Sequence, residues 1–336
     1  MGVSIKDIAK AAGVSHSTVS RALSDSPLVK EETKRRIQRL AREMGYSPSA
    51  IARSLATKRT HTIGLVVTTI ADPFVADIVR GVEEVALDRG YSVFLSNSNA
   101  DPQREMAVVK TFHERRVDGV IVTASRVGDL YLPLLEEIGA PIVLINNLRD
   151  GEYVYSVATD NVHGAKLATR YLIELGHRRV GYIACPNKGR SNRDRLEGYR
   201  RALREADIAF QPALVARGDG KVEGGQEGMR QLLSLSSPPT AVFCYNDLTA
   251  IGAMMAVKGA GRRVPDDISL VGFDDIAMAS YVDPPLTTVR QRKYEMGRLA
   301  MEMLLDILSG EEAPKSIVLQ GELIVRKSCR RLGPAP

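Results

Sequence analysis

The sequence lacks the features that mark several common protein classes. Its three cysteines, Cys185, Cys244 and Cys329, lie far apart with no CxxC pair, which argues against a disulfide framework and a zinc site. No apolar run approaches the ~20 residues that cross a bilayer, and the N-terminal MGVSIKD lacks the apolar core of a signal peptide. Tryptophan is also absent, which excludes no function. We expect a cytoplasmic protein with no metal site, no cofactor and no membrane partner.

The excess of positive over negative charge lies in the first sixty residues of the chain. Residues 1–60 hold twelve Lys or Arg against five Asp or Glu, a net charge of +7, whereas the other 276 hold 34 against 35, a net charge of −1. Concentrated positive charge attracts a polyanion and releases its counterions. The length of 336 residues suggests two or three domains. The sequence therefore predicts a small basic module joined to a larger, nearly neutral body.

The basic segment has the spacing of two short helices around a tight turn. Ser4 can cap a first amphipathic helix, Gly13 can end it, and Ser15 can cap a second helix over 16–23. A third helix is predicted over 31–44. Three helices in so short a segment form a small bundle with a modest core.

One face of the predicted second helix is polar. In a helix-turn-helix, the second helix enters the major groove of DNA and its N-terminal residues meet base edges. His16 and Ser17 are placed to read bases, and Arg21 can fork onto guanine or hold a phosphate. Ser15 and Thr18 are better placed for phosphates. The pattern alone leaves open an ordinary helical hairpin with a solvated face, but the segregated charge favours duplex DNA.

From residue 61 the pattern of apolar residues changes. Short β-branched runs alternate with helical patterns in two similar series, the first from TIGLVV to PIVLIN and the second beginning at YSVATD. Apolar strands that alternate with helices indicate parallel sheets covered on both faces. We predict an α/β fold in which a three-helix helix-turn-helix headpiece precedes a two-lobed core of parallel sheets.

Residues 4–59 resemble the headpiece and hinge of the lactose-repressor (LacI/GalR) family of bacterial transcription regulators. The residues that carry the resemblance are SIKDIAKAAGVSHSTVSRALSDSPLVKEETKRRIQRLAREMGYSPSAIARSLATKR. The likeness continues through DPFVADIVRGVEEVA, LIELGHRRVGYIA, FCYNDLTAIGAM, ISLVGFDDI and ELIVRKSC, and spans essentially the full chain. It implies a periplasmic-binding-protein-like core and a sequence-specific regulator, expected to be a repressor, that binds a palindromic operator as a homodimer under the control of a small-molecule effector.

The resemblance implies three regions and, within the core, two lobes that the chain visits more than once. We expect a headpiece at 1–46, a hinge at 47–60 and an effector-binding and dimerisation core at 61–336. The N-lobe is expected at about 61–160 and 291–320, and the C-lobe at about 161–290 and 321–330. The chain has no leucine heptads after ELIVRKSC, which favours a dimer over a coiled-coil tetramer.

In this family the linker folds into a hinge helix on operator DNA, and a leucine from each hinge helix enters the minor groove. The matching residue here is Leu55, and an apolar wedge of this kind can unstack a base step and kink the duplex. Packing of Leu55 into the protein's own core is the alternative. Arg53 is expected to meet phosphates.

Sheets of this kind place ligands at the carboxyl ends of their strands. By family position the resemblance assigns the effector contacts to Phe74, Val75, Asn146, Asn147, Ser191, Arg193, Arg195, Asn246 and Asp274. Acidic, basic and amide groups around an aromatic ring suit a sugar or nucleoside-like molecule, and the arginines near 190–195 keep a sugar phosphate open. Asn246 and Asp247 are also placed to cap the following helix, and Asp275 is a candidate cap or salt-bridge partner.

Two other function classes remain on the sequence alone. A sugar-modifying α/β enzyme with a helical appendage would need a nucleophile or an acid–base pair, and no motif supplies one beyond Asp274 with Arg195. A solute-binding protein would match the lobes, but the missing signal peptide and the basic headpiece oppose it.

Overall fold

The computed structural model describes residues 3–46, 59–124, 140–147, 155–186 and 189–333. The chain divides into two compact units, Met1–Thr60 and His61–Pro336. The predicted hinge helix with Arg53 and Leu55 lies outside the described residues. The domain boundaries set out above stay predictions.

The described part of the N-terminal unit contains three helices, as the sequence predicts. They are α1 (Ile5–Ala12), α2 (His16–Leu23) and α3 (Glu31–Glu43). Ser4 and Asp7 form a reciprocal capping box at the start of α1, which satisfies two amides that have no partner within the helix. Gly13 ends α1 with a φ of 62°, a conformation that favours glycine.

A small apolar cluster and two long polar side chains hold these helices together. The buried members of the apolar cluster are Ile8, Ala9, Val19, Ala22, Ile37 and Ala41. Arg36 of α3 donates to the carbonyl of Ala12 at 3.1 Å, and Gln38 donates to that of Ala22 at 3.4 Å. Helix α3 therefore fixes α2 relative to α1 and leaves the opposite face of α2 in solvent.

The second unit contains two sheets, each of six described strands. The N-lobe strands are β1 (Thr62–Val67), β2 (Ser92–Asn97), β3 (Gly119–Thr123), β4 (Ile142–Ile145), β5 (Tyr155–Thr159) and β11 (Ser316–Leu319). The C-lobe strands are β6 (Val180–Ala184), β7 (Val215–Arg217), β8 (Ala241–Cys244), β9 (Ser269–Asp274), β10 (Thr287–Arg290) and β12 (Glu322–Ile324).

Nearly all neighbouring strands are parallel, which confirms the predicted fold class. The order is β11-β5-β4-β3-β1-β2 in the N-lobe and β12-β10-β9-β8-β6-β7 in the C-lobe, where only the β10–β12 pair is antiparallel among the described strands. The N-lobe helices are α4 (Pro73–Asp88), α5 (Pro102–Glu114) and α11 (Lys293–Ser309). The C-lobe helices are α6 (Asn161–Glu174), α7 (Arg190–Glu205), α8 (Val222–Leu233), α9 (Asp247–Gly259) and α10 (Met278–Tyr281).

The described chain crosses between the lobes after β5, after β10 and after β11. Asp160 lies at the first crossing and caps α6, where its side chain accepts a hydrogen bond from the His163 amide at 2.9 Å. Because the strands within each lobe run parallel, their carboxyl ends gather at one edge of each sheet. The crossings bring these two edges together.

Helix α11 follows the second crossing and packs closely on α4 in the N-lobe. The two helices approach through glycines, since a Cβ on Gly81 would collide with the Tyr294 carbonyl and one on Gly297 with the Ile78 carbonyl. This close approach sets the first turn of α11 beside the first turns of α4.

His177 lies just before β6 and packs inside the C-lobe. Its imidazole is buried, with Nδ1 2.9 Å from Thr240 Oγ1 and Nε2 3.1 Å from Ser269 Oγ. Nε2 also lies 3.2 Å from the carbonyl of Arg330. Burial lowers the pKa of His177. The ring therefore fastens the C-terminal segment to the C-lobe in its neutral form.

We predict that His177→Ala lowers the free energy of unfolding by about 2–3 kcal/mol at pH 7.5. A lowered folded-state pKa favours the neutral ring, so the wild type loses this contribution as the pH falls below 6.5, the usual pKa of histidine. The difference between the two proteins should therefore narrow at pH 5. Urea unfolding at both pH values measures it, with the exposed His113→Ala as control. A difference that stays constant or widens at pH 5 would refute this assignment.

Candidate functional site

The exposed face of α2 contains the residues that the sequence predicts to contact DNA. His16, Ser17 and Arg21 are exposed, and Val19 and Ala22 are buried against the other helices. The residues available to a partner are thus on the side of α2 that faces away from the bundle core.

Ser15 and Thr18 are more constrained than their neighbours. Ser15 caps α2, and its Oγ accepts a hydrogen bond from the Thr18 amide at 3.2 Å. The same oxygen lies 2.8 Å from Ser17 Oγ and 2.8 Å from Thr18 Oγ1. These contacts fix the start of the helix, where unpaired amides and the helix dipole suit a phosphate.

In the second unit, a cavity of about 250 Å³ lies between the two lobes. Its walls come from the carboxyl ends of strands in both sheets and from the helix starts that follow them. Seven of the predicted effector residues line it: Phe74, Val75, Asn146, Ser191, Arg195, Asn246 and Asp274. These seven residues are up to 200 positions apart in the chain, from Phe74 to Asp274.

Two predicted effector residues do not line this cavity. Arg193 is exposed, whereas Arg195, two residues later on the same helix, is 4% exposed. Side chains two positions apart on an α-helix point about 200° apart, so Arg193 and Arg195 cannot both face the cavity. Ser191 and Arg195 are four positions apart and can. Asn147 is half-buried and is not among the lining residues, although its neighbour Asn146 is.

Arg195 and Asp274 form the charged centre of the cavity. Arg195 Nε donates to Asn161 Oδ1 at 2.9 Å, and another nitrogen of the guanidinium donates to the carbonyl of Tyr245. The guanidinium lies over Phe273, 3.8 Å from the ring centroid, and is 3.7 Å from Asp274 Oδ1. Stacking and hydrogen bonds thus fix Arg195 in place before any ligand arrives.

Asp274 has one engaged carboxylate oxygen. Gln291 Nε2 donates to Asp274 Oδ1 at 2.6 Å, while among the described contacts Oδ2 accepts none. Burial raises the pKa of Asp274 to about 6, an effect that Arg195 opposes and the charge of Asp72 reinforces. A ligand that donates a hydrogen bond to Oδ2 would stabilise the ionised form.

Gln291 joins this carboxylate to the N-lobe. Its Oε1 accepts from Thr159 Oγ1 at 2.6 Å and from Asn146 Nδ2 at 3.5 Å. Asn146 is held in turn, because its Oδ1 accepts from the Thr159 amide at 3.2 Å and its φ is 56°. A continuous hydrogen-bonded path therefore runs from β4 and β5 through Gln291 to Asp274.

Sequence reasoning missed Thr123, a lining residue whose hydroxyl is unsatisfied. Thr123 is 4% exposed, and its Oγ1 is the buried side-chain oxygen for which the described residues offer no hydrogen-bond partner. A buried hydroxyl without a partner is costly and points to an absent ligand or water. Thr123 is the last residue of β3, so the strand-end rule that selects Asn146 and Asp274 also applies to it.

Asn246 and Asp275 have the structural roles that the sequence left as alternatives, whereas Asp247 neither caps α9 nor lines the cavity. Asn246 lines the cavity and also caps α9, since its Oδ1 accepts from the Thr249 amide at 2.9 Å. Asp247 is not among the lining residues; it is buried and accepts from the Ile276 amide at 2.8 Å. Asp275 pairs with Arg290 at 2.7 Å and Arg326 at 2.6 Å.

Within the described residues, no group of three or more His, Cys, Asp or Glu side chains is arranged to hold a metal ion. None of the described helices is long and apolar enough to cross a membrane.

Two parts of the chain match known protein families. Residues 4–49 match the family model "Bacterial regulatory proteins, lacI family", and residues 169–329 match "Periplasmic binding protein-like domain". The chain is 39% identical over 334 residues to the transcriptional repressor CytR of Escherichia coli K12, covering 98% of this chain and 96% of that one.

Two solved structures have the same architecture. A complex of the transcriptional regulator CelR with cellobiose is 34% identical, with a TM-score of 0.75 over 97% of this chain and 99% of the other. A lac repressor dimer bound to operator and an anti-inducer is 29% identical, with a TM-score of 0.87 over 98% and 100%. These relatives regulate transcription and are not enzymes. The chain belongs to the lacI family of bacterial regulatory proteins, the DNA-binding transcription regulators that its headpiece and two-lobed core resemble.

Proposed function

We propose that this regulator is a dimeric repressor that binds a palindromic operator and that a neutral sugar or nucleoside in the inter-lobe cavity controls its affinity for DNA. The observation that carries the proposal is the cavity itself, where polar strand ends of both lobes converge on the unengaged Oδ2 of Asp274. We place the protein in the cytoplasm, where it meets the operator.

The polar groups in the cavity favour a neutral effector over a phosphate. Among the described residues, its lining contains the acidic side chains of Asp72, Asp219 and Asp274 but only two cations, Arg195 and Lys221. Arg195 is already engaged by Asn161 and Tyr245, and Arg193, which suggested a phosphate, does not line the cavity. Hydroxyl groups can donate to Asp274 and Thr123 while an apolar ring face packs on Phe74.

The exposed α2 face would read the operator. Arg21 extends from the last turn of α2, and the N-terminal residues of this helix are those that reach base edges in a helix-turn-helix. A dimer would place two such helices on successive half-sites, so the operator would be palindromic. We assign Ser15 and Thr18 to phosphates, His16 and Ser17 to bases, and Arg53 and Leu55 to the linker contact with DNA.

Selection of bound duplexes from a random pool tests the operator. We expect enrichment of one palindromic site by the full-length protein. Enrichment of no common sequence, or of a single unpaired half-site, would contradict the dimeric reading.

We predict that Arg21→Ala weakens binding to the selected operator by about 10- to 100-fold and relaxes the base preference where it acts. Fluorescence anisotropy with the selected duplex and its single-base variants measures both effects. Arg35→Ala is the control, because Arg35 is exposed on α3 and pairs with Glu31. Equal losses for the two variants would leave only a general charge effect.

A thermal-shift screen tests the effector class. The panel contains D-ribose, cellobiose, adenosine, uridine and ribose 5-phosphate, since a ligand of the folded protein raises its melting temperature. We expect a shift from at least one neutral compound and none from the phosphate. If only ribose 5-phosphate raises the melting temperature, the neutral-effector proposal is wrong. Turnover of a bound compound would instead support the alternative of a sugar-modifying enzyme.

We predict that Thr123→Val stabilises the protein by about 1 kcal/mol and weakens binding of the hit compound by about tenfold. Valine removes a buried hydroxyl that has no partner among the described residues, and the effector loses the hydrogen bond it would make there. Thermal unfolding and isothermal titration calorimetry provide the two readings.

The matched control is Thr169→Val, because the buried Thr169 hydroxyl donates to the Ala165 carbonyl at 2.9 Å. This control should lose stability and keep its affinity for the compound. If Thr123→Val binds the compound as tightly as the wild type does, Thr123 is not an effector contact.

A further inference from the structure

A buried lysine connects the two lobes directly behind the cavity. Lys293 is the first residue of α11, and its side chain is 6% exposed. Its Nζ donates to the carbonyl of Asp274 at 2.8 Å and to that of Asp275 at 2.7 Å, and lies 3.8 Å from Asp77 Oδ2. An ammonium group has three protons to donate, and two of them go to these carbonyls, while Asp77 supplies a nearby opposite charge.

The two carbonyls belong to a turn with an unusual backbone. Asp274 has a φ of 116° and Asp275 a φ of 51°, and both values lie where residues other than glycine are strained. Such a conformation persists only when its surroundings hold it. Because Lys293 binds both carbonyls, it helps to hold the turn.

The side chains of this turn point to different partners. Asp275 is paired with Arg290 and Arg326, which come from the C-lobe strand β10 and from the segment after β12. Asp274 instead faces the cavity, where Gln291 donates to it. The arginines therefore fix one carboxylate within the C-lobe, and the backbone contacts from Lys293 fix the position of the other.

The lysine comes from the opposite lobe. Helix α11 packs on the N-lobe sheet and, through Gly81 and Gly297, on α4. The N-cap of α4 is Asp72, which lines the cavity. A shift of the Asp274–Asp275 turn would thus be felt at the start of α11 and, through it, at α4.

We propose that Lys293 is the positioning residue that sets the Asp274 carboxylate in the cavity and couples its occupancy to the N-lobe. The inference rests on the proposed function, since it concerns the response to an effector in this cavity. Lys293 is not among the lining residues and contacts no effector; it acts through the turn. Without it, the turn would relax, Asp274 would lose its orientation, and ligand binding would be transmitted less strongly to α11.

The first test needs no ligand. Hydrogen–deuterium exchange of the full-length protein follows the amides of Asp275 and Ile276, which donate to Thr288 Oγ1 and Asp247 Oδ2. Lys293→Met should exchange this segment at least about fivefold faster than the wild type. The matched control is Arg292→Met, which removes an exposed cation from the adjacent residue and should leave exchange unchanged. If these amides exchange in Lys293→Met at the same rate as in the wild type, the proposal is wrong.

The second test separates positioning from folding. D-Ribose and adenosine are titrated into the operator complex of each variant, and operator affinity is measured without and with each compound. Lys293→Met should keep operator affinity within about twofold and need about tenfold more compound for a half-maximal response. Lys293→Arg, which keeps the charge and the donors, should recover most of this loss. A Lys293→Met protein that responds like the wild type contradicts the coupling role.

The two proposals fail in different ways. If neither compound affects the wild type, the effector class named above fails for this pair, and the exchange measurement alone decides the role of Lys293. If Lys293→Met does not fold, Lys293→Gln replaces it, because the amide keeps donors but loses the charge and should give intermediate exchange rates. Exchange in Lys293→Gln equal to that of the wild type would overturn the proposal.

Discussion

The burial of one carboxylate between two lobes is the constraint on which the core depends. Asp274 lies at the end of β9, 7% exposed, and burial raises its pKa to about 6. An ionised carboxyl in such a place requires donors and a counter-charge. Gln291 and Arg195 supply them, and each is held by residues of other elements, so much of the cavity wall is committed to this one group.

This arrangement explains how a binding site can also affect the relative position of the two lobes. The groups that satisfy Asp274 come from both lobes and from a crossing segment, so a ligand that replaces or adds to these contacts changes the balance between lobe positions. A ligand shifts such an equilibrium only by its difference in affinity for the two states. The Oδ2 of Asp274 and the hydroxyl of Thr123, for which the described residues offer no hydrogen-bond partner, are suited to provide that difference.

Local patterns were sufficient to predict the fold and part of the site. The helix spacing with Ser4, Gly13 and Ser15 predicted the headpiece, and alternating apolar runs predicted parallel sheets. The family resemblance predicted Asn146 and Asp274 as effector contacts, and both line the cavity. Helical phase alone could have separated Arg193 from Arg195, since residues two apart cannot share a face.

Thr123 at the end of β3 follows the same strand-end rule, but Gln291 and Lys293 have no signal in a single sequence. Gln291 and Lys293 act through partners that lie in other elements, and the Gln291 amide reaches Thr159, 132 residues away in the chain. The partners of the His177 ring, Thr240 and Ser269, likewise lie in distant segments of the chain, so the sequence around His177 does not reveal them. Contacts of this kind depend on tertiary structure, which periodicity and capping patterns do not encode.

The central claim is that the cavity and the DNA-binding helix are energetically linked. Linkage is reciprocal, so the factor by which a compound changes operator affinity must equal the factor by which operator changes affinity for the compound. Calorimetric titration of the compound found by thermal shift into free protein and into the protein–operator complex measures this directly. We predict two dissociation constants that differ by the factor seen in the DNA-binding assay. Equal constants, with full occupancy of the cavity in both states, would contradict the account.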